Sequence, residues 1–111
     1  MNAIEKRLAD ERKVVRKLIR VAKAHGYELT RIWDGECWEK PKTEEEALDV
    51  VFSVDEYSMR FKHPEQPKSH CAIIILGNSG PKVITDSSVG EGWGTVMAVM
   101  NEYTDKMGEQ T

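Results

Sequence analysis

No stretch of this chain is apolar enough to cross a bilayer. Its longest unbroken apolar run, Cys71 to Leu76, falls far short of the roughly 20 residues that a membrane helix needs. The first residues carry no apolar core either, since Met1-Asn2-Ala3-Ile4 runs straight into Glu5-Lys6-Arg7. No secretory leader is read there, so a cytoplasmic location without membrane association is expected. Cysteine is scarce. Cys37 and Cys71 stand far apart and make no disulfide framework, and in the cytosol both thiols are expected to be reduced. With His63 and His70 they lack the paired close spacing of a zinc site, so no metal is expected. If His70 and Cys71 share a strand they point to opposite faces and cannot act as base and nucleophile.

Nucleotide-binding motifs are missing too. The glycines of the segment from Gly77 to Gly94 match neither the phosphate-binding loop ending in Gly-Lys-Ser/Thr nor the dinucleotide fingerprint. No cofactor is expected. Acidic candidates for proton transfer are undistinguished. Asp34, Glu36 and Glu39 cluster near one turn, Asp86 ends a strand, and the turn itself accounts for Asp34. There is no internal repeat and no low-complexity segment.

What is present is an ordinary globular composition. Hydrophobic residues make up 40% and charged residues 32% of 111 residues, which fits one domain over 1–111 and excludes a disordered chain. The net charge of -3 gives no bulk attraction for nucleic acid, yet it is divided unevenly. Residues 1–25 carry net +5 and the remainder net -8.

Residues 4–25 read as a long amphipathic helix. Ile4, Leu8, Val15, Leu18, Ile19 and Ala22 fall on one face, and Lys6, Lys13, Arg16, Lys17, Arg20 and Lys23 on the other. Glu11 intrudes on the apolar side, and Gly26 stands where a left-handed cap belongs. Asp34-Gly35 predicts a two-residue hairpin turn, which sets Arg31 opposite Trp38. Thr43-Glu44-Glu45-Glu46 is a capping box that opens a short helix to about Phe52. Tyr57 to Lys62 alternates as a half-buried strand. Cys71 to Leu76, continuously apolar, reads as a central strand covered on both faces. Gly77 to Pro81 reads as a turn, Lys82 to Asp86 as a strand, Ser87 to Gly94 as a glycine-rich loop, and Thr95 to Met107 as a final helix. The expected architecture is α+β. An antiparallel sheet, made of a C-terminal three-strand meander and a hairpin, carries a long N-terminal helix, a short middle helix and a C-terminal helix on one face.

The most distinctive candidate site is the basic arc of the first helix, with Lys13, Arg16, Lys17, Arg20 and Lys23. Such an arc fits an acidic protein surface or, as a second reading, a phosphate backbone; the plain alternative is a solvated helix face. Trp93, set among glycines, is the expected exposed anchor, because tryptophan is enriched at binding hot spots. A non-enzymatic interaction or regulatory protein with an acidic protein partner is the leading expectation. Nucleic-acid binding through the same arc stands second, and a small enzyme or ligand binder using the Gly77–Gly94 loop third. Homodimer formation stays open through strand edges or the Met97, Met100 and Met107 surface.

One resemblance adds to this. Ala47-Leu48 through Val51-Phe52-Ser53-Val54-Asp55-Glu56, the strand with Phe61, Ile73-Ile74-Ile75-Leu76-Gly77-Asn78 and Val83-Ile84-Thr85-Asp86 together resemble small uncharacterised proteins of proteobacteria and their phages and plasmids. The likeness covers residues 34–90. It carries no activity and implies a bacterial, mobile-element origin.

Overall fold

The first helix, α1 (Ala3–Ala24), buries Val14, Val15, Leu18, Val21 and Ala22, the stripe that helical periodicity dictates. Glu11, the charge on the apolar side, is fully buried, with Arg7 Nε 3.6 Å from its carboxylate. The Tyr57 phenol nearby is held far above its ordinary pKa by burial and by that carboxylate. A Schellman cap ends the helix. Tyr27 N–H donates to the Ala22 carbonyl (2.8 Å) and Gly26 N–H to that of Lys23 (3.0 Å). Gly26 is required twice over, by its φ of +89° and because a Cβ there would meet His63 Nε2 at 2.7 Å.

The computed structural model describes residues 3–52, 56–66, 68–76, 83–88 and 90–109. After α1 come β1 (Glu28–Trp33), β2 (Trp38–Glu39), α2 (Glu44–Val51), β3 (Glu56–Lys62), β4 (His70–Ile75), β5 (Ile84–Ser87) and α3 (Glu91–Glu109). The strands form one five-stranded sheet in the order β2-β1-β3-β4-β5, with every pairing antiparallel. This is the expected α+β architecture. The radius of gyration is 13.4 Å, near the roughly 13 Å of a compact chain of this length. No helix of the described residues is long and apolar enough to cross a membrane.

Four local expectations are corrected. The hairpin turn spans four residues, because the Asp34 carboxylate accepts both the Glu36 and the Cys37 N–H at 2.9 Å. Trp33 therefore faces Trp38 directly, where a two-residue turn would have set Arg31 there. The Glu46 carboxylate accepts from the Lys42 N–H (2.7 Å) rather than from that of Thr43, while the Thr43 hydroxyl caps Glu46 N–H as expected (3.1 Å). β4 is covered on one face only. His70, Ala72 and Ile74 are buried and Cys71, Ile73 and Ile75 half-buried, so the centre of the sheet is β3. Finally, α3 starts at Glu91 and takes Gly92, Trp93 and Gly94 out of the predicted loop. The Gly77–Pro81 turn and Lys82 lie outside the described residues.

The core sits between the sheet and the helices. Ile32, Tyr57, Met59, Phe61, Ala72 and Ile74 meet the buried residues of α1, α2 and α3. α1 packs on α3, α2 and β1. The strand residues of opposite parity form the other sheet face, and no helix covers them among the described residues.

Candidate interaction surface

Much of the basic arc of α1 is engaged within the fold. Arg20 holds Glu44 with two hydrogen bonds (3.1 and 3.0 Å). Arg16 reaches Glu45 at 3.1 Å and Glu44 at 3.4 Å, and Arg12 reaches Glu45 at 4.0 Å. These arginines recur every four residues, so they form one stripe facing the acidic first turn of α2. Bonding to Glu44 raises the Arg20 pKa still further above its already high ordinary value. Lys17 lies over the Tyr103 ring, 5.3 Å from its centroid. Of the predicted arc, Lys13 and Lys23 remain exposed without a carboxylate partner among the described residues.

Trp93 is no exposed anchor, since it is fully buried. Its ring stacks on His70 (centroids 5.5 Å apart, planes 9° apart) and lies edge-on to Tyr27. The cause is the early start of α3, which turns Trp93 inward. Gly90 and Gly92 make room for this packing: a Cβ at Gly90 would meet His70 Cε1 at 2.6 Å, and one at Gly92 would collide with the Tyr27 hydroxyl. Of the predicted loop, the room at the described glycines Gly90 and Gly92 is taken up by this packing, which leaves no open space beside His70 and Tyr27. Of the methionine surface, Met100 is buried, while Met97 and Met107 are half-buried against the core.

A polar relay threads this aromatic cluster. Gln66 Nε2–H donates to the Tyr27 hydroxyl (2.9 Å), and the Gln66 carbonyl lies 2.7 Å from His70 Nε2. That oxygen can only accept, so His70 carries its proton on Nε2. Burial pushes the His70 pKa below its ordinary value, which keeps the ring neutral.

The acidic turn gathers the one close set of metal-ligating side chains among the described residues. Ligand atoms of Asp34, Cys37 and Glu39 lie within 4.8 Å of one another. The turn already engages both Asp34 oxygens, one by N–H groups and one by the Cys37 thiol at 3.6 Å. Glu39, 3.3 Å from the sulfur, burial and Asp34 together push the Cys37 thiol up to about 11. It is a poor nucleophile at neutral pH. Both cysteines are free.

The uncovered sheet face holds the remaining candidate. Trp33 and Trp38 face each other across β1 and β2, with centroids 5.2 Å apart. Arg31 and Arg60 face each other across β1 and β3. Their guanidinium carbons lie 4.7 and 4.8 Å from the Trp38 ring centroid, within cation–π range. Trp38 is 37% exposed. No carboxylate among the described residues pairs with either arginine. Beside this cluster lies a depression of about 280 Å³ lined by Trp33, Gly35, Glu56, Tyr57, Ser58 and Ile73. Ser58 Oγ and Cys71 Sγ sit 2.7 Å apart near its edge. Sequence reasoning missed this cluster because Arg31 and Arg60 are far apart along the chain. Only strand pairing and the four-residue turn bring them to the two tryptophans.

No protein-family model, curated protein or solved structure matches the chain.

Proposed function

We propose that this chain is a non-enzymatic interaction protein that binds the acidic surface of a protein partner through the open face of its sheet. One observation carries the reading: Arg31 and Arg60 lie over exposed Trp38 and pair with no carboxylate among the described residues. Tryptophan and arginine are the residues most enriched at binding hot spots. A guanidinium that sits over an aromatic ring with no carboxylate partner has N–H donors left for an external carboxylate.

A second set of contacts favours a surface away from α1. Arg16 and Arg20 are engaged by Glu44 and Glu45, so a partner would have to displace α2's own carboxylates to reach them. This also counts against a phosphate backbone tracking that arc. A bacterial and mobile-element origin, implied by the resemblance of residues 34–90, directs the search to bacterial lysates.

The test is affinity capture of the tagged chain from nuclease-treated bacterial lysate, beside the Trp38→Ala variant. A stoichiometric protein captured by the native chain and lost with Trp38→Ala supports the reading. Equal capture by both chains, or capture that nuclease abolishes, refutes it.

A further inference from the structure

The open face is divided in character along its strands. By register and alternation, Arg31, Arg60 and Trp38 share one region. Trp33, Ser58 and Ile73 lie across neighbouring strands beyond it, with Glu56 on the rim of the depression they line. Asp86 stands opposite Ile73. By register the arginine pair thus lies one step along the strands from the hollow at Ser58, Glu56 lines the hollow on the side away from the arginines, and Asp86 sits on the neighbouring strand beside Ile73.

The arginine pair has a cost that calls for a ligand. Like charges directly opposite each other weaken a sheet, and nothing acidic among the described residues relieves this pair. Each guanidinium has five N–H donors in a planar fork that suits a carboxylate. On an extended segment, residues two apart project to the same side, so two carboxylates at alternate positions can meet two neighbouring forks. The hollow beside Trp33 and Ile73 offers apolar surface to a large side chain next to them.

Glu56 and Asp86 decide the class of partner. A nucleic acid carries a phosphate at every nucleotide, and a strand crossing this face would bring phosphates against both carboxylates. A peptide can place its charges on the arginine side alone.

We infer that the open sheet face recognises a short, extended acidic–apolar protein segment. Two of its carboxylates, on alternate residues, bind Arg31 and Arg60 beside Trp38, and a neighbouring large apolar side chain fills the hollow at Trp33 and Ile73. This rests on the reading of the chain as an interaction protein.

The test is selection of displayed random linear peptides on the full chain, with counter-selection on an Arg31→Gln/Arg60→Gln variant that melts like the native chain. Enriched peptides should carry Asp or Glu at alternate positions next to Leu, Ile or Phe. By fluorescence anisotropy, Arg60→Gln should weaken a selected peptide about tenfold or more. Neutralising the peptide's own carboxylates should do the same, and the two losses should not add. Arg60→Lys, which keeps charge without the fork, should fall between. Enrichment of basic or uncharged peptides, no enrichment, or tighter binding of a single-stranded oligonucleotide overturns the inference. So does a homodimer that Trp38→Ala dissociates in sedimentation, because the face would then belong to a second copy. Lysate capture that depends on Trp38 without peptide enrichment sinks the segment and spares the interaction reading. Capture indifferent to Trp38 sinks the interaction reading itself.

Discussion

Arg31 and Arg60 stand directly opposite each other on neighbouring strands, and both guanidinium groups lie within 4.8 Å of the Trp38 ring centroid. The fold builds this arrangement from β1, β2 and β3, which lie in the order β2-β1-β3 in the sheet. The Asp34 turn sets β2 against β1 so that Trp38 reaches the arginines. The excursion through α2 then brings β3 alongside the other edge of β1.

Replacing Trp38 by alanine separates binding from folding. The ring is on the face that no helix covers among the described residues and makes two cation–π contacts and one aromatic pair, so the loss in stability should stay within about 3 kcal/mol. Binding of a partner should fall by about 2 kcal/mol or more, as for a hot-spot tryptophan. Thermal melting and anisotropy of a selected peptide measure the two effects side by side.

Trp93→Ala should behave in the opposite way. Its ring is fully buried among Tyr27, Phe61 and His70, so truncation leaves a cavity and is expected to cost about 3–5 kcal/mol. Urea unfolding checks this. An unchanged midpoint would mean that the α3 start is misplaced.

Stability should fall in mild acid because of His70. Its pKa is lowered in the fold by burial, and the unfolded chain binds the proton more readily. The unfolded state therefore gains protons first as pH drops below about 6.5, the ordinary histidine value. Stability present above that pH is lost progressively until the folded-state pKa is passed. Urea midpoints measured from neutral pH downward should decline for the native chain, and His70→Gln should flatten that decline. Parallel profiles would contradict the role given to His70.

Cys37 should resist alkylation at neutral pH despite its exposure. Its thiol is pushed up to about 11 by Glu39, burial and Asp34, so the reactive thiolate is scarce. Iodoacetamide labelling should accelerate only as pH approaches that value, and Glu39→Gln should move the rise to lower pH. Fast labelling of the native chain at neutral pH would show that the carboxylates do not hold the proton.

Much of the fold was legible because its signals are local. The α1 stripe, the Gly26 cap, the Thr43 cap and the alternation of Tyr57, Met59 and Phe61 each depend on neighbours along the chain. The errors arose where a distant contact decides. Trp93 reads as a loop residue until Tyr27, His70 and Phe61 surround it, and Gly92 reads as flexibility until the Tyr27 hydroxyl occupies the room its missing side chain leaves. The apolar run from Cys71 suggested two covered faces, yet Ile73 and Ile75 lie on the uncovered one. The arc on α1 was visible as charge, but its partners Glu44 and Glu45 read only as favourable ends of another helix. The candidate surface was the least legible part, because it exists only through the register of β2, β1 and β3.

The most direct test of that surface compares two charge reversals in the same nuclease-treated capture. One chain carries Arg31→Glu and Arg60→Glu on the open sheet face, and the other carries Lys13→Glu and Lys23→Glu on α1. The account predicts that the partner is lost from the first chain and retained by the second. Loss from the second with retention by the first would return the contact to α1 and contradict the assignment of the sheet face.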